Sequence, residues 1–275
     1  MTGRVNNCWG MDLEVPFSRW EGQPDGSEGL TMVLDKGMGA ARLRDMLEIA
    51  GDYMDFLKLS FGTSFLYPEY VLEKKIYLAK KFDVYIYPGG TLFEIAVFHQ
   101  RMKEYLIQTK KLGFTAVEVS SGTIETGEEM RKEAVKMAKS LGLKVLTEVG
   151  KKSREESLSS EEFIDQIIKD GESGADYIIV EGRESGCGIS IYDQDGGIRL
   201  NKFKSILTKL SSYRGNIIWE TPLKKQQIFF LRNLGMEVNL GNIAPDEVLA
   251  LAALRRGLRG DTFRDILIQT EGENY

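Results

Sequence analysis

A single (β/α)8 barrel is the architecture this sequence predicts, and three observations predict it. The first is length: 275 residues, close to the roughly 250 typical of such barrels. The second is rhythm. Short β-branched or aromatic runs recur, their starts roughly 20–40 residues apart, the spacing of a strand, a crossover helix and two loops. The third is the count of those runs, eight, which is what a closed parallel barrel needs. An open doubly wound sheet is the competing arrangement.

The strands are expected at Thr31–Asp35, Phe56–Phe61, Asp83–Tyr87, Ala116–Ser120, Lys144–Val149, Tyr177–Glu181, Asn216–Glu220 and Glu237–Leu240. Between them the period changes to that of helices. Val71, Leu72, Ile76, Ala79 and Phe82 share one face. Val135, Met137, Ala138 and Leu141 do the same before Gly142, a residue suited to the left-handed turn after a helix. Gly113 closes a long preceding helix in the same way. Pro68 and Pro245 stand where helices begin, and Ser159 or Ser160 followed by Glu161 and Glu162 marks another start. Residues 1–30 read as an extension, 31–259 as the barrel and 260–275 as a polar C-terminal tail. No linker divides the chain, so one domain is expected.

Composition narrows the function. A net charge of −5 offers no basic footprint for nucleic acid. No apolar run approaches the ~18 residues of a membrane span, and the first residues lack an apolar signal core. Two cysteines, Cys8 and Cys187, build no disulfide framework. A cytoplasmic protein is the expectation, and a homo-oligomer, as barrels of this kind often associate.

In this fold the site forms at the C-terminal ends of the strands. Those ends are polar throughout: Asp35-Lys36, Lys58 and Ser60, Gly89-Gly90, Glu118 and Ser120, Glu148 then Gly150-Lys151-Lys152, Glu181 and Arg183, Glu220, and Asn239-Leu240-Gly241-Asn242. A charge inside a barrel strand is costly unless paired or metal-bound. A level ring of them therefore reads as a functional site, with a structural ion-pair network as the alternative. Glu118, Glu148 and Glu181 on adjacent strands suit an all-oxygen magnesium site; each can instead pair with Lys58, Lys151 or Arg183. Gly241-Asn242 before Pro245, and Gly89-Gly90-Thr91, are two candidate anion loops, since helix N-termini attract anions. His99, the only histidine, falls mid-helix and reads as a surface or packing residue. Cys187 has no histidine beside it to activate it. The glycine-rich loop Glu184 to Gly197 is either an active-site lid or an exposed insertion.

Taken in order, these segments resemble one family. Leu34-Asp35-Lys36-Gly37, Lys58-Leu59-Ser60-Phe61-Gly62-Thr63, Tyr87-Pro88-Gly89-Gly90-Thr91, Glu118-Val119-Ser120-Ser121-Gly122, Glu148-Val149-Gly150-Lys151-Lys152, Glu181-Gly182-Arg183-Glu184, Trp219-Glu220 and Asn239-Leu240-Gly241-Asn242 are similar to the motifs of phosphosulfolactate synthases. The resemblance runs from Thr31 to Arg259. It implies magnesium-dependent Michael-type addition of sulfite to C3 of phosphoenolpyruvate, giving 2-phospho-3-sulfolactate. It implies Lys151 as general acid, with Lys152 the fallback, and Lys58 and Arg183 beside it in catalysis. Asp35, Lys36, Gly89, Gly90, Ser120, Asn239, Gly241 and Asn242 are the expected substrate-binding set. Glu148 and Glu181 are the expected magnesium ligands, with Glu118 third and Asp35 a further candidate. The pathway is left open between coenzyme M synthesis and sulfolactate formation. Two rivals stand beside this reading. One is a Schiff-base, aldolase-like barrel using Lys58 or Lys151. The other is a non-catalytic protein akin to plant heat-stress-associated proteins, which resemble the same family.

Overall fold

Eight parallel strands form one sheet in the order β3-β2-β1-β8-β7-β6-β5-β4. The computed structural model describes residues 29–150 and 158–265. The strands are β1 (Thr31–Asp35), β2 (Phe56–Leu59), β3 (Tyr85–Pro88), β4 (Ala116–Ser120), β5 (Lys144–Val149), β6 (Tyr177–Val180), β7 (Ile217–Glu220) and β8 (Asn239–Ile243). Outside them lie α1 (Ala40–Ala50), α2 (Thr63–Leu66), α3 (Glu69–Lys81), α4 (Gly90–Phe98), α5 (Met102–Lys111), α6 (Glu128–Ser140), α7 (Ser160–Glu172), α8 (Leu200–Lys209), α9 (Lys224–Leu234) and α10 (Val248–Arg255).

The barrel closes at β3 and β4 without a regular ladder, and the sequence explains why. The amides of Tyr85 and Gly89 donate to Asp55 and Leu59 on the β2 side. Ile86 faces the other way, its amide donating to Thr115 Oγ1 at 2.8 Å. By alternation Pro88 presents to β4 a nitrogen that carries no hydrogen. Thr115 stands in for the missing ladder, accepting at its hydroxyl and donating its own amide to the Ile86 carbonyl.

Alternation along each strand builds three levels. Met32, Phe56, Tyr87, Ala116, Leu146, Ile179 and Ile218 point inward and fill the barrel with an apolar plug. Outward residues such as Val33, Leu57, Val180 and Trp219 pack against the helices. Burial of each such side chain contributes about 1.5–3 kcal/mol. Two residues above the plug, on the same side of their strands, come Lys58, Glu118, Glu148, Glu181 and Glu220. The plug is the floor on which that polar level rests.

Three expected strands match residue for residue: Thr31–Asp35, Ala116–Ser120 and Lys144–Val149. The others differ at their ends, and in two of them the backbone turns left-handed there. Phe61 has φ 56°, so β2 stops short of it, and Asp83 has φ 58°, so β3 starts after it. The long helix expected before Gly113 is two helices, α4 and α5, parted near Gln100, which has φ 58°. His99 is therefore the exposed residue that ends α4, not a mid-helix one. The Ser159 start is a full capping box with Glu162. The start of the expected polar tail is helical over residues 260–265 and docks: Thr262 is buried and its hydroxyl donates to the Leu254 carbonyl.

Asp35 is the clearest departure from the expected substrate-binding and magnesium-ligand sets. It sits one residue past the inward Leu34 and so points outward. There it pairs with Lys75 of α3, both side chains fully buried. Lys75 also donates to the Met38 carbonyl at 2.7 Å and lies over the Tyr67 ring. Asp35 accepts the amides of Gly37 and Met38. The pair braces the β1 loop from behind. Asp35→Ala leaves a buried ammonium without its partner and is expected to cost about 3–5 kcal/mol, read as a lowered urea midpoint. An unchanged midpoint would contradict the assignment.

Candidate active site

Lys58 stands at the centre of the polar level. Its ammonium lies 3.0 Å from Glu118, 3.1 Å from Glu148 and 3.2 Å from Glu220, all buried. Desolvation opposes its charge, but Glu118, Glu220 and Glu148 together hold its pKa well above the ordinary 10.5. Because the proton is held more tightly folded than unfolded, this contribution to stability is complete below pH 10.5 and is lost only as pH rises beyond it. Tyr87 beneath stays a neutral phenol, its pKa raised by burial and then by Glu118.

The carboxylates divide into two groups. Glu148, Glu181 and Glu220 each offer an oxygen within 4.8 Å of the others, and all three are buried. Glu118 lies outside that triad. It faces Lys58 and accepts the Gly90 amide at 2.8 Å. The expected third ligand is thus replaced in the geometry by Glu220, which the strand-end pattern displays but does not distinguish. An all-oxygen, carboxylate-rich set of this size fits a magnesium ion that keeps some of its waters.

Close approach explains the glycines. A Cβ on Gly90 would meet Glu118 Oε1 and Ser120 Cβ at 2.5 Å. One on Gly150 would meet Glu181 Cβ at 2.6 Å, and one on Gly241 would meet Met32 Cε at 2.4 Å. Gly89 lies over Lys58, its would-be Cβ 3.5 Å from the lysine Cε. The N-terminus of α4 therefore already has an anion at Gly90, the Glu118 carboxylate.

The remaining expected residues separate. Ser120 lies in the site, its hydroxyl 2.9 Å from Glu148 Oε1 and 2.7 Å from Glu94 Oε1. Arg183 is left-handed at φ 55°, its amide donating to Glu181 at 2.7 Å and its carbonyl accepting from Asn242 Nδ2 at 3.2 Å. Lys36 reaches across the mouth to Glu184 at 2.8 Å, both half-exposed. Asn239 belongs elsewhere. It begins β8, at the opposite end of the barrel, where its side chain accepts the Leu30 amide and donates to the carbonyls of Gly215 and Ile217. A strand over Glu237–Leu240 would put it near the mouth, but β8 starts two residues later. A register shift between β1 and β8 then gives Asn242 its left-handed backbone at the rim. Lys151 and Lys152 lie outside the described residues.

The Glu184–Gly197 loop is an anchored cover rather than a free lid. Ile191 and Tyr192 are fully buried. Tyr192 donates to the Glu220 carbonyl, and Gln226 of α9 donates to the carbonyls of Gly186 and Gly196. The Cys187 thiol donates to the Ser185 carbonyl, and its amide to the Ser185 hydroxyl.

Sequence reasoning missed Glu94, whose signal was a lone carboxylate in the apolar helix Gly90–Phe98. It is buried and accepts the amides of Gly122 and Thr123 as well as the Ser120 hydroxyl. It also missed Arg131, hidden among the charges of α6.

With this geometry in hand, comparison with known proteins is decisive. The family model of (2R)-phospho-3-sulfolactate synthase (ComA) matches residues 22–261. The phosphosulfolactate synthase of Methanothermobacter thermautotrophicus is 45% identical over 236 residues, 85% of this chain and 91% of that protein.

The chain belongs to the phosphosulfolactate synthase family.

The Bacillus subtilis phosphosulfolactate synthase is 37% identical, covering 86% of this chain and 92% of its own. The Arabidopsis thaliana protein HEAT-STRESS-ASSOCIATED 32 is more distant, at 23% over 82% and 84%. Among solved structures, 3-hexulose-6-phosphate synthase superposes with a TM-score of 0.51 at 13% identity, covering 82% of this chain and 98% of that one. That likeness concerns the barrel fold alone. No described helix is long and apolar enough to cross a membrane.

The protonated Lys58 yields a prediction. A Schiff base needs a free amine. Borohydride treatment with pyruvate, between about pH 6 and 9, is expected to leave Lys58 unmodified in peptide mass maps. A reduced adduct on Lys58 would reverse the charge assignment.

Proposed function

We propose that the protein catalyses magnesium-dependent Michael-type addition of sulfite to C3 of phosphoenolpyruvate, giving 2-phospho-3-sulfolactate. The observation that carries this reading is the buried Glu148–Glu181–Glu220 triad beside Lys58, at the mouth of a barrel whose family is named for that product. Those three carboxylates would hold the magnesium ion. When bound, it supplies Lewis-acid stabilisation of negative charge on the substrate carboxylate.

The chain's own groups account for the rest. The sulfite lone pair forms the S–C3 bond. The C2–C3 π pair moves toward the carboxylate, and a proton then arrives at C2. Lys151, following β5, is the proposed donor of that proton. Lys58 places a fixed positive charge beside the site, and its pairing with three glutamates keeps it there. Arg183, its backbone clamped at both amide and carbonyl, and Lys36 at the rim are the proposed partners of the phosphate and sulfonate oxygens. A protonated Lys58 disfavours the Schiff-base reading. A purely protective protein has no evident need for a buried carboxylate triad.

Purified protein mixed with phosphoenolpyruvate, sulfite and magnesium is expected to form a phosphosulfolactate ion in mass spectra, and a chelator is expected to abolish it. No product from folded protein would remove the reading. Lys151→Ala should lower kcat by about 10²–10⁴-fold while leaving KM for phosphoenolpyruvate within about threefold. Wild-type turnover in that variant would exclude Lys151 as the acid. Glu220→Gln should raise the magnesium concentration for half-maximal rate by at least ~10-fold. An unchanged requirement would return the third ligand to Glu118.

A further inference from the structure

Behind the site, between sheet and helices, Arg131 of α6 and Asp170 of α7 form a buried pair, 4% and 2% exposed. Arg131 Nε donates to Asp170 Oδ1 at 2.6 Å and Nη2 to Oδ2, a fork-on-fork geometry. Gln166 steadies the same carboxylate at 2.9 Å. Removing two such ions from water costs several kcal/mol each, and apolar side chains of similar volume often pack as well or better. Packing alone therefore does not account for the pair.

What an apolar pair cannot supply is donors. Arg131 Nη2 also donates to the Glu148 carbonyl at 2.9 Å, and Nη1 to Ser121 Oγ at 3.1 Å. The Glu148 carbonyl stands at the end of a ladder. Val149, the next residue, directs its carbonyl to β6, accepting the Glu181 amide. Alternation turns the Glu148 carbonyl toward β4, and there the ladder ends at the Ser120–Glu148 pair. By the same alternation the neighbouring amide on that side is that of Ser121, and the guanidinium reaches both the Glu148 carbonyl and the Ser121 hydroxyl, tying the two strand ends together.

We propose that Arg131, buttressed by Asp170, is a positioning residue for the reaction. It fixes the end of the β5 backbone, and so the aim of the Glu148 carboxylate. This rests on the role given above to Glu148.

The test compares wild type, Arg131→Lys and the double variant Arg131→Met/Asp170→Leu, by thermal unfolding, by kcat and KM for phosphoenolpyruvate, and by amide exchange in the peptide that ends β5. The double variant replaces the ions with apolar side chains and is expected to stay folded. Its kcat should fall at least ~10-fold, with KM within about threefold, and amides at the end of β5 should exchange at least ~10-fold faster. A folded double variant with kcat within twofold of wild type would make the pair a packing element and overturn the proposal. Should the double variant not fold, Arg131→Lys decides. It keeps the charge but cannot serve Asp170, Glu148 and Ser121 together, and an unchanged kcat well below its melting temperature overturns the proposal equally. If wild type itself shows no turnover, the synthase reading fails by that result alone. Amide exchange in Arg131→Lys then decides the positioning role, which unchanged rates would refute.

Discussion

The ion cluster around Lys58 sets the terms for everything near it. One buried ammonium touches three buried carboxylates, and none of the four groups is tolerable there alone. Lys58 comes from β2, and its partners from β4, β5 and β7. β2 is thereby held level with three strands to which it has no ladder. The apolar plug below keeps water from the underside of the cluster. The glycines above allow loops to approach without displacing it.

Around this centre lies a shell of groups that act on backbone rather than on the centre itself. Glu94 collects the amides that follow β4. Tyr192 reaches from the anchored β6 loop to the Glu220 carbonyl. The Lys75–Asp35 pair braces the β1 loop. Each sits in the helix layer or a loop, and each meets a strand where its ladder runs out. Polar residues cluster at these points because a strand end leaves carbonyls and amides that nothing else satisfies. In a barrel the catalytic level and the ladder ends coincide, so the devices that finish the sheet also orient the site.

Much of this was legible in the residues. The two-residue period that puts Leu146 inward puts Glu148 inward also, and the same rule places Lys58, Glu118, Glu181 and Glu220. Where reading failed, the cause was a local backbone choice. Asp35 is polar and stands at a strand end, but its parity is opposite to Leu34, so it faces α3. Asn239 opens β8 rather than ending it, because the strand starts two residues later than its hydrophobic pattern suggests. The left-handed Asn242 and the shifted pairing of β1 and β8 carry no mark in the local sequence, since they arise from fitting one strand between two neighbours.

By itself the sequence determined the barrel, the level at which charge gathers and the family, because hydrophobic period and ordered strand-end motifs are properties of the chain alone. Only the tertiary structure decided which carboxylates meet. Glu118 and Glu220 are indistinguishable as strand-end glutamates. The β5–β6–β7 ladder brings Glu220 level with Glu148 and Glu181, while the N-terminus of α4 draws Glu118 to Gly90. The buried Arg131 likewise looks, in sequence, like one more charge on an amphipathic helix. Its worth depends on the place where β4 stops beside β5, a distance that no linear pattern encodes.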